Sequence, residues 1–177
     1  TEIECIKKIK KINDKIKIFV IGPFATNNPE KYIDEKAIVI SGEPEFFFLK
    51  YDNLLKFEDG QIIKFDHENS LDDLPFPAWD KMLDSKYKVS LLFGNYKTVP
   101  IIATRGCPYS CFKYCVYPLQ QGRKVRQRDP KKIVDELEYW KKKFNIKMFI
   151  FRDPVFSINR KHTIELCNEI INRNLKI

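Results

Sequence analysis

The chain has 177 residues, of which 44% are hydrophobic and 32% charged, as in ordinary globular proteins large enough to bury a core. No apolar run approaches the roughly 20 residues that a membrane-spanning helix needs, and no signal-peptide pattern opens the sequence, so we expect a cytoplasmic protein. The net charge of +8 comes from lysines spread along the chain, which is typical of solvated helix faces and argues against a nucleic-acid partner.

The first half of the chain predicts alternating helices and strands. Isoleucines at every third position of residues 3–12 indicate an amphipathic helix, and the apolar runs 16–21 and 37–41 indicate buried strands. Residues 45–55 are predicted to be helical, and Asp59-Gly60 predicts the turn of a β-hairpin. Strands that alternate with helices are typical of a parallel α/β sheet.

The second half predicts more strand–helix units after a proline-rich linker. The linker begins at residues 71–80, and a strand is predicted at 99–104. Asp129-Pro130 begins a helix, 146–151 form the next strand, and Asn159 caps a last helix.

The two helices of this half are predicted to be amphipathic. The apolar positions predicted to face the core are Ile133, Val134, Leu137, Trp140 and Phe144 in the first helix, and Ile164, Cys167, Ile170 and Ile171 in the second. Cys5 and Cys167 are predicted to be helix-face thiols without a ligand role. His67 and His162 are predicted to be exposed to solvent.

Three cysteines within nine residues carry most of the functional information. They occur in Cys107-Pro-Tyr-Ser-Cys111-Phe-Lys-Tyr-Cys115, directly after a predicted strand. Iron–sulfur clusters that only carry electrons usually take four cysteines, so three indicate a metal centre with one open position. Zinc sites favour Cys-x-x-Cys pairs and nearby histidines, which are absent here. Inert loop thiols or a zinc site completed by another ligand are the alternatives.

The run Thr-Arg-Gly-Cys107-Pro-Tyr-Ser-Cys111, with Tyr114-Cys115, resembles the signature of radical S-adenosylmethionine (radical SAM) enzymes. The resemblance implies that the three cysteines hold a [4Fe–4S] cluster. It also implies that SAM binds the open iron and is cleaved reductively to a 5′-deoxyadenosyl radical. Tyr114 is then expected to contact the adenine of SAM through its backbone, and Asp153 the SAM amino group. An electron donor such as a ferredoxin or flavodoxin is the implied partner.

Upstream segments resemble the radical SAM subgroup that has an N-terminal cobalamin-binding domain. The matching segments are Gly22-Pro23, residues 38–45 and the proline-rich linker. By this resemblance Gly22, Gly42 and Glu43 approach a cobalamin, whereas the residues alone indicate turns after strands, where glycine permits positive φ.

The resemblance implies an α/β fold. Its parts are the C-terminal part of a doubly wound cobalamin-binding-like domain, with a hairpin, at 1–70, a linker at 71–98, and the first βα units of a partial (βα) radical SAM barrel at 99–177. We therefore expect a fragment of a larger enzyme, inactive by itself, whose family starts radical chemistry that in cobalamin relatives extends to methyl transfer or rearrangement. The alternative is a non-catalytic metal-binding or electron-transfer module that uses the same three cysteines.

The cysteine spacing departs from the family pattern. Three residues and then two separate the cysteines in the family, whereas three and then three separate them here, as if Lys113 were inserted. We predict that deleting Lys113 preserves or improves cluster loading.

Overall fold

A computed structural model describes residues 1–64, 70–82, 89–91, 94–96, 98–111 and 114–177. At 89–91 and 94–96 only the backbone of the strands is described. His67 and Lys113, on which predictions were made, lie outside these residues. The chain forms two compact units. The first comprises Thr1–Asn69 and Gly106–Lys124, and the second Ser70–Arg105 and Val125–Ile177.

Short strands and helices alternate along the described chain. The α-helices are α1 (Glu2–Ile12), α2 (Pro23–Asn27), α3 (Glu30–Ile33), α4 (Pro44–Lys50), α5 (Tyr117–Gln121), α6 (Pro130–Phe144) and α7 (Arg160–Asn172). The strands are β1 (Phe19–Val20), β2 (Ile38–Ser41), β3 (Ile62–Lys64), β4 (Val89–Leu91), β5 (Gly94–Tyr96), β6 (Thr98–Ile101), β7 (Thr104–Arg105), β8 (Arg126–Gln127) and β9 (Met148–Phe151).

The first unit is built around a parallel sheet in the order β1-β2-β3. The central strand β2 is apolar on both faces because both faces are covered, and Ile38, Val39 and Ile40 are fully buried. The predicted helix α1 is confirmed and begins with a capping box between Thr1 and Glu4.

The hairpin predicted at Asp59-Gly60 is wrong. These residues form a turn, but β3 pairs in parallel with β2, with Val39 opposite Ile62, because this pairing satisfies the second edge of the buried central strand. The predicted helix at 45–55 is also shorter, since α4 ends at Lys50 and only a 3₁₀ turn follows at Leu54–Lys56.

Two lysines hold the turn at Asp59. The Asp59 carboxylate accepts hydrogen bonds from Lys10 Nζ at 2.6 Å and Lys17 Nζ at 3.0 Å. Burial opposes ionisation, but the two ammonium groups outweigh it and lower the pKa of Asp59. This turn is therefore fixed by contacts with residues far away in the sequence.

The second unit contains a parallel β6–α6–β9 arrangement. The predicted apolar stripe of α6 is confirmed, because Ile133, Val134, Leu137 and Trp140 are buried against β6 and Phe144 packs beside them. The helix begins as predicted, with the Asp129 side chain accepting Lys131 N–H at 2.7 Å and Pro130 in the first turn.

The strand predicted at 99–104 is interrupted. β6 ends at Ile101, and Thr104–Arg105 form the separate strand β7, which pairs antiparallel with β8. The cysteine-containing segment lies between β7 and β8 in the chain.

The stripe predicted for α7 faces largely outward. Of its members only Ile170 packs against the core, whereas Ile164 and Ile171 are 45% and 71% exposed and Cys167 is exposed. The fully buried residue of this helix is Leu166. The cause is the packing of α7 on α6, which uses the Leu166 face. The prediction that His162 is exposed is also wrong, since it is 7% exposed and its Nε2 lies 2.7 Å from the Arg128 carbonyl oxygen.

The proline-rich segment is ordered by local turns. It forms 3₁₀ turns at Leu71–Asp73 and Trp79–Lys81, and the Asp72 carboxylate accepts the Asp129 N–H at 3.0 Å. The antiparallel pair β4–β5 follows. None of the helices in the described part of the chain has the length and apolar character needed to cross a membrane.

Candidate functional site

The cysteine segment is closed by hydrogen bonds between its two ends. Cys107 N–H donates to the Gly122 carbonyl at 3.1 Å, and Gly106 N–H donates to Gln121 Oε1 at 3.2 Å. We call residues 106–124 the cysteine loop. Its closure brings the residues before the first cysteine next to those after α5.

Gly106 makes this closure possible. Its φ is +92°, in the region that favours glycine, and a Cβ at this position would lie only 2.1 Å from the Lys124 carbonyl oxygen. Any other residue here would force the two ends of the cysteine loop apart. The sequence showed the glycine but gave no sign of the close backbone approach.

Two of the three predicted ligands share one cavity. Cys111 and Cys115 line a cavity of about 290 Å³. Among the described residues, the lining is Tyr109, Ser110, Cys111, Cys115, Pro118, Leu119 and Arg123. Arg123 lines the same cavity as the two thiols, and its Nη1 donates a hydrogen bond to Ser110 Oγ at 3.0 Å. Sequence reasoning did not identify Arg123 as part of this site.

Cys107 is placed differently. It is 5% exposed and is not among the residues that line the cavity of Cys111 and Cys115. Within the described part of the chain, no three side chains of the metal-binding types lie close enough together to hold a metal ion. The donor set itself, thiols on a closed loop, suits an iron–sulfur cluster, which binds through cysteine thiolates.

Tyr114 lies on the surface of the cysteine loop. Its side chain is exposed, and its N–H donates to the Cys111 carbonyl at 3.2 Å. A backbone contact between this residue and a ligand would therefore use the Tyr114 carbonyl oxygen.

Asp153 lies at the carboxyl end of β9 and fixes the chain just after β6. Its Oδ1 accepts hydrogen bonds from Ala103 N–H and Thr104 Oγ1, both at 2.9 Å, and from Thr104 N–H. Its Oδ2 is buried and finds no hydrogen-bond partner among the described residues. Burial raises the pKa of Asp153, although the hydrogen bonds from Thr104 and Ala103 favour the ionised form.

The three residues predicted to approach a cobalamin lie at one edge of the first unit's sheet. Gly22 follows β1 and Gly42-Glu43 follow β2, and parallel strands bring these carboxyl ends together. Thr26 Oγ1 of α2 accepts the Gly42 N–H at 3.1 Å. Gly22 has φ +102° with open space where a Cβ would be, and Glu43 is buried at the start of α4.

The cysteine loop reaches this same part of the first unit. Helix α5, which lies within the cysteine loop, contacts α2, which begins directly after Gly22. The structure thus places α5 of the cysteine loop beside α2. Helix α2 follows the Gly22 turn and contacts the Gly42 turn through Thr26. The sequence alone gave no indication of this contact.

Comparisons with known proteins place these features in context. No family model matches the chain. An uncharacterized methyltransferase of Pyrococcus horikoshii is 27% identical over 97% of this chain and 40% of its own length. The anaerobic magnesium-protoporphyrin IX monomethyl ester cyclase of Rubrivivax gelatinosus is 35% identical over 67% of this chain and 21% of its own length. The bacteriochlorophyllide d C-8(2)-methyltransferase of Chlorobaculum tepidum is 39% identical over 37% of this chain and 16% of its own length.

The fold resembles that of a solved structure. The radical S-adenosylmethionine methyltransferase TsrM from Kitasatospora setae, solved with its tryptophan substrate and the SAM analogue aza-SAM, superposes with a TM-score of 0.62 over 98% of this chain and 36% of its own. The sequence identity of 17% makes this a likeness of fold. The mixed α/β architecture with parallel sheets agrees with the predicted fold class.

The chain spans two fifths or less of the length of these relatives. They are methyltransferases and cyclases, so by resemblance the chain is that of an enzyme. The resemblance seen in the cysteine motif is confirmed, because the chain is similar in sequence to methyltransferases and a cyclase and similar in fold to a radical SAM methyltransferase.

Proposed function

We propose that this chain binds a [4Fe–4S] cluster through Cys107, Cys111 and Cys115 and serves a radical SAM reaction. The observation that carries the proposal is the closed cysteine loop, in which two of the three thiols line one cavity. When bound, such a cluster supplies one electron for the reductive cleavage of SAM. The chain's own part is to hold three thiolates on a loop of fixed ends and to leave one iron without a protein ligand.

Two residues are proposed to contact SAM. The Tyr114 carbonyl oxygen is proposed to meet the adenine, because the hydrogen bond described for this residue uses its N–H. Asp153 Oδ2, a buried carboxylate oxygen without a partner among the described residues, suits the SAM ammonium group. A buried acceptor left unpaired is costly, so a cationic ligand there would recover part of that cost.

The edge formed by Gly22, Gly42 and Glu43 is proposed to bind cobalamin. The open space at Gly22 lets a large ligand approach the backbone closely, and ligands of open α/β sheets bind outside the carboxyl ends of the strands. The contact of α5 with α2 supports a shared site for the two cofactors. We accordingly propose domains of cobalamin-binding-like and partial barrel type at 1–70 and 99–177, joined by the linker at 71–98.

The proposed reaction class is methyl transfer or rearrangement that depends on cobalamin. The curated relatives named above include methyltransferases, which supports the methyl-transfer outcome. The proposed reductant is an external donor such as a ferredoxin or flavodoxin, the partner that the resemblance to radical SAM enzymes implies. A cytoplasmic location stays a prediction.

Anaerobic reconstitution of the full chain with iron and sulfide tests the cluster assignment. We expect about four iron and four sulfide ions per chain, the content of one [4Fe–4S] cluster. Cys107→Ser, Cys111→Ser and Cys115→Ser should each reduce this content strongly. The exposed thiols of Cys5 and Cys167 provide matched controls, and their serine variants should load like the wild type.

Two results would contradict the assignment. Uptake of zinc without iron under the same conditions would favour the non-catalytic metal-binding module. Equal losses of iron in the loop variants and the Cys5 and Cys167 controls would show that the loop does not hold the cluster.

A further inference from the structure

The peptide units that precede the cysteine loop are held by side chains in addition to the short β7–β8 pairing, in which Thr104 lies opposite Gln127. β6 ends at Ile101, and Ala103 and Thr104 are buried, at 0% and 1% exposure. The Ala103 N–H, the Thr104 N–H and the Thr104 hydroxyl all donate to one atom, Oδ1 of Asp153. A single carboxylate oxygen therefore satisfies three donors on this segment.

The opposite side of the same segment is held by Arg128. Its N–H donates to the Ala103 carbonyl at 2.9 Å, and its Nη1 donates to the Ile102 carbonyl at 3.0 Å. The guanidinium is itself fixed by Glu136, whose Oε2 lies 2.6 Å from Nη1. With both sides anchored, the backbone of Ile102–Thr104 has little freedom to move.

This anchored segment is only three residues from the first cysteine. Cys107 is the proposed ligand nearest to it along the chain, and a flexible residue loses conformational entropy when its backbone is fixed. Fixing Ala103 and Thr104 beforehand reduces the entropy that the cysteine loop must lose when its thiols converge on a metal centre.

We propose that Asp153 is a positioning residue for the cysteine loop, acting through Oδ1 on Ala103 and Thr104. This inference rests on the proposed function, because it assigns the loop as the cluster site. The two oxygens of the Asp153 carboxylate then have different roles. Oδ1 fixes Ala103 and Thr104, just before the loop, and Oδ2 is the oxygen proposed to contact SAM.

Three variants separate these roles. Asp153→Ala removes all three hydrogen bonds. Asp153→Asn keeps an oxygen that can accept them and removes the negative charge. Thr104→Val removes only the hydroxyl bond at nearly constant volume. Asp135→Ala is the matched control, because Asp135 is also a carboxylate of the second unit, paired with Arg173 on the other side of α6.

The first measurement needs no cluster. The alkylation rate of each cysteine in the metal-free full chain is followed by mass spectrometry of its peptides, with Cys5 and Cys167 as internal references. We expect Asp153→Ala to raise the rate at the buried Cys107 by about tenfold, equivalent to roughly 1.4 kcal/mol of local stability. Thr104→Val should raise it less, and Asp153→Asn and Asp135→Ala should leave it near the wild-type rate.

The second measurement is the iron content after reconstitution. Asp153→Ala should take up clearly less iron than the wild type, and Asp153→Asn should recover most of the difference. A weaker effect of SAM on the Asp153→Asn cluster would then report Oδ2 separately from Oδ1.

The outcomes distinguish this inference from the proposed function. Wild-type alkylation of Cys107 in both Asp153→Ala and Thr104→Val overturns the positioning role, whatever the iron content. If Asp153→Ala does not fold, the Thr104→Val rate decides. A wild-type chain that takes up no iron contradicts the proposed function. The alkylation rates can still show, in that case, that Asp153 fixes the residues just before the loop.

Discussion

Replacing Gly106 with alanine should open the cysteine loop. The new Cβ would lie 2.1 Å from the Lys124 carbonyl oxygen and 2.9 Å from its carbon, in a backbone conformation with φ +92°. Left-handed backbone costs a residue with a side chain about 1–3 kcal/mol. Relieving the overlap also breaks the hydrogen bonds of Gly106 with Gln121 and Cys107 with Gly122, each worth about 0.5–1.5 kcal/mol. The closed loop therefore loses about 2–6 kcal/mol.

The loss should appear as weaker cluster binding. Because affinity falls with the fraction of chains in the competent conformation, we expect iron retention against a competing chelator to fall by about 25-fold or more. Gly60→Ala is the matched control, since Gly60 also has positive φ, +75°, but a Cβ there meets only Ile33 O at 3.3 Å. If Gly106→Ala retains iron like the wild type while circular dichroism shows both variants folded, closure of the loop is not required for binding.

Three further changes test other parts of the structure. Asp59→Asn should lower the free energy of unfolding at pH 7 but not at strongly acid pH. The lowered pKa means that the carboxylate stabilises the fold fully above its ordinary value of 3.8 and loses that contribution as the pH falls through the folded-state pKa. A difference in urea denaturation that does not change with pH would contradict this. Glu136→Ala should cost about 3–5 kcal/mol in the same assay because it leaves Arg128 unpaired at a largely buried site, and a loss below about 1 kcal/mol would show that the pair contributes little. Deletion of Lys113 should preserve or improve iron content, and a clear loss would show that the longer spacing is the working one.

The sequence predicted the β6–α6–β9 arrangement well because its signals are local. The apolar period of α6 and its cap at Asp129 depend on neighbouring residues, so periodicity and capping rules were enough. The cysteine motif was equally local, and the resemblance it carried is confirmed.

Features set by distant contacts were missed. The hairpin prediction at Asp59-Gly60 followed a reliable dipeptide, but the buried edge of β2 takes β3 as a parallel partner instead. The apolar stripe predicted for α7 is right at Ile170 but wrong at Ile164 and Ile171, because the helix buries the face of His162 and Leu166 instead. Periodicity does not show which neighbour a helix will meet.

In the candidate site, too, local features were predictable from the sequence and distant contacts were not. Residue types and spacing identified the three cysteines, whereas Asp153 and the two glycines were singled out only by the family resemblance. What the sequence did not reveal are contacts between side chains and backbone, such as the hydrogen bonds of Asp153 with Thr104 and the approach of Lys124 to Gly106. Such contacts have no periodic signature, because they join residues that are far apart in the sequence.

The most direct test of the central claim is the electron paramagnetic resonance spectrum of the reduced, reconstituted full chain, recorded with and without SAM. If three cysteines hold the cluster and SAM takes the open iron, the spectrum of the reduced cluster must change when SAM is added. A spectrum that SAM leaves unaltered, from a chain loaded with about four iron ions, would contradict the proposed function.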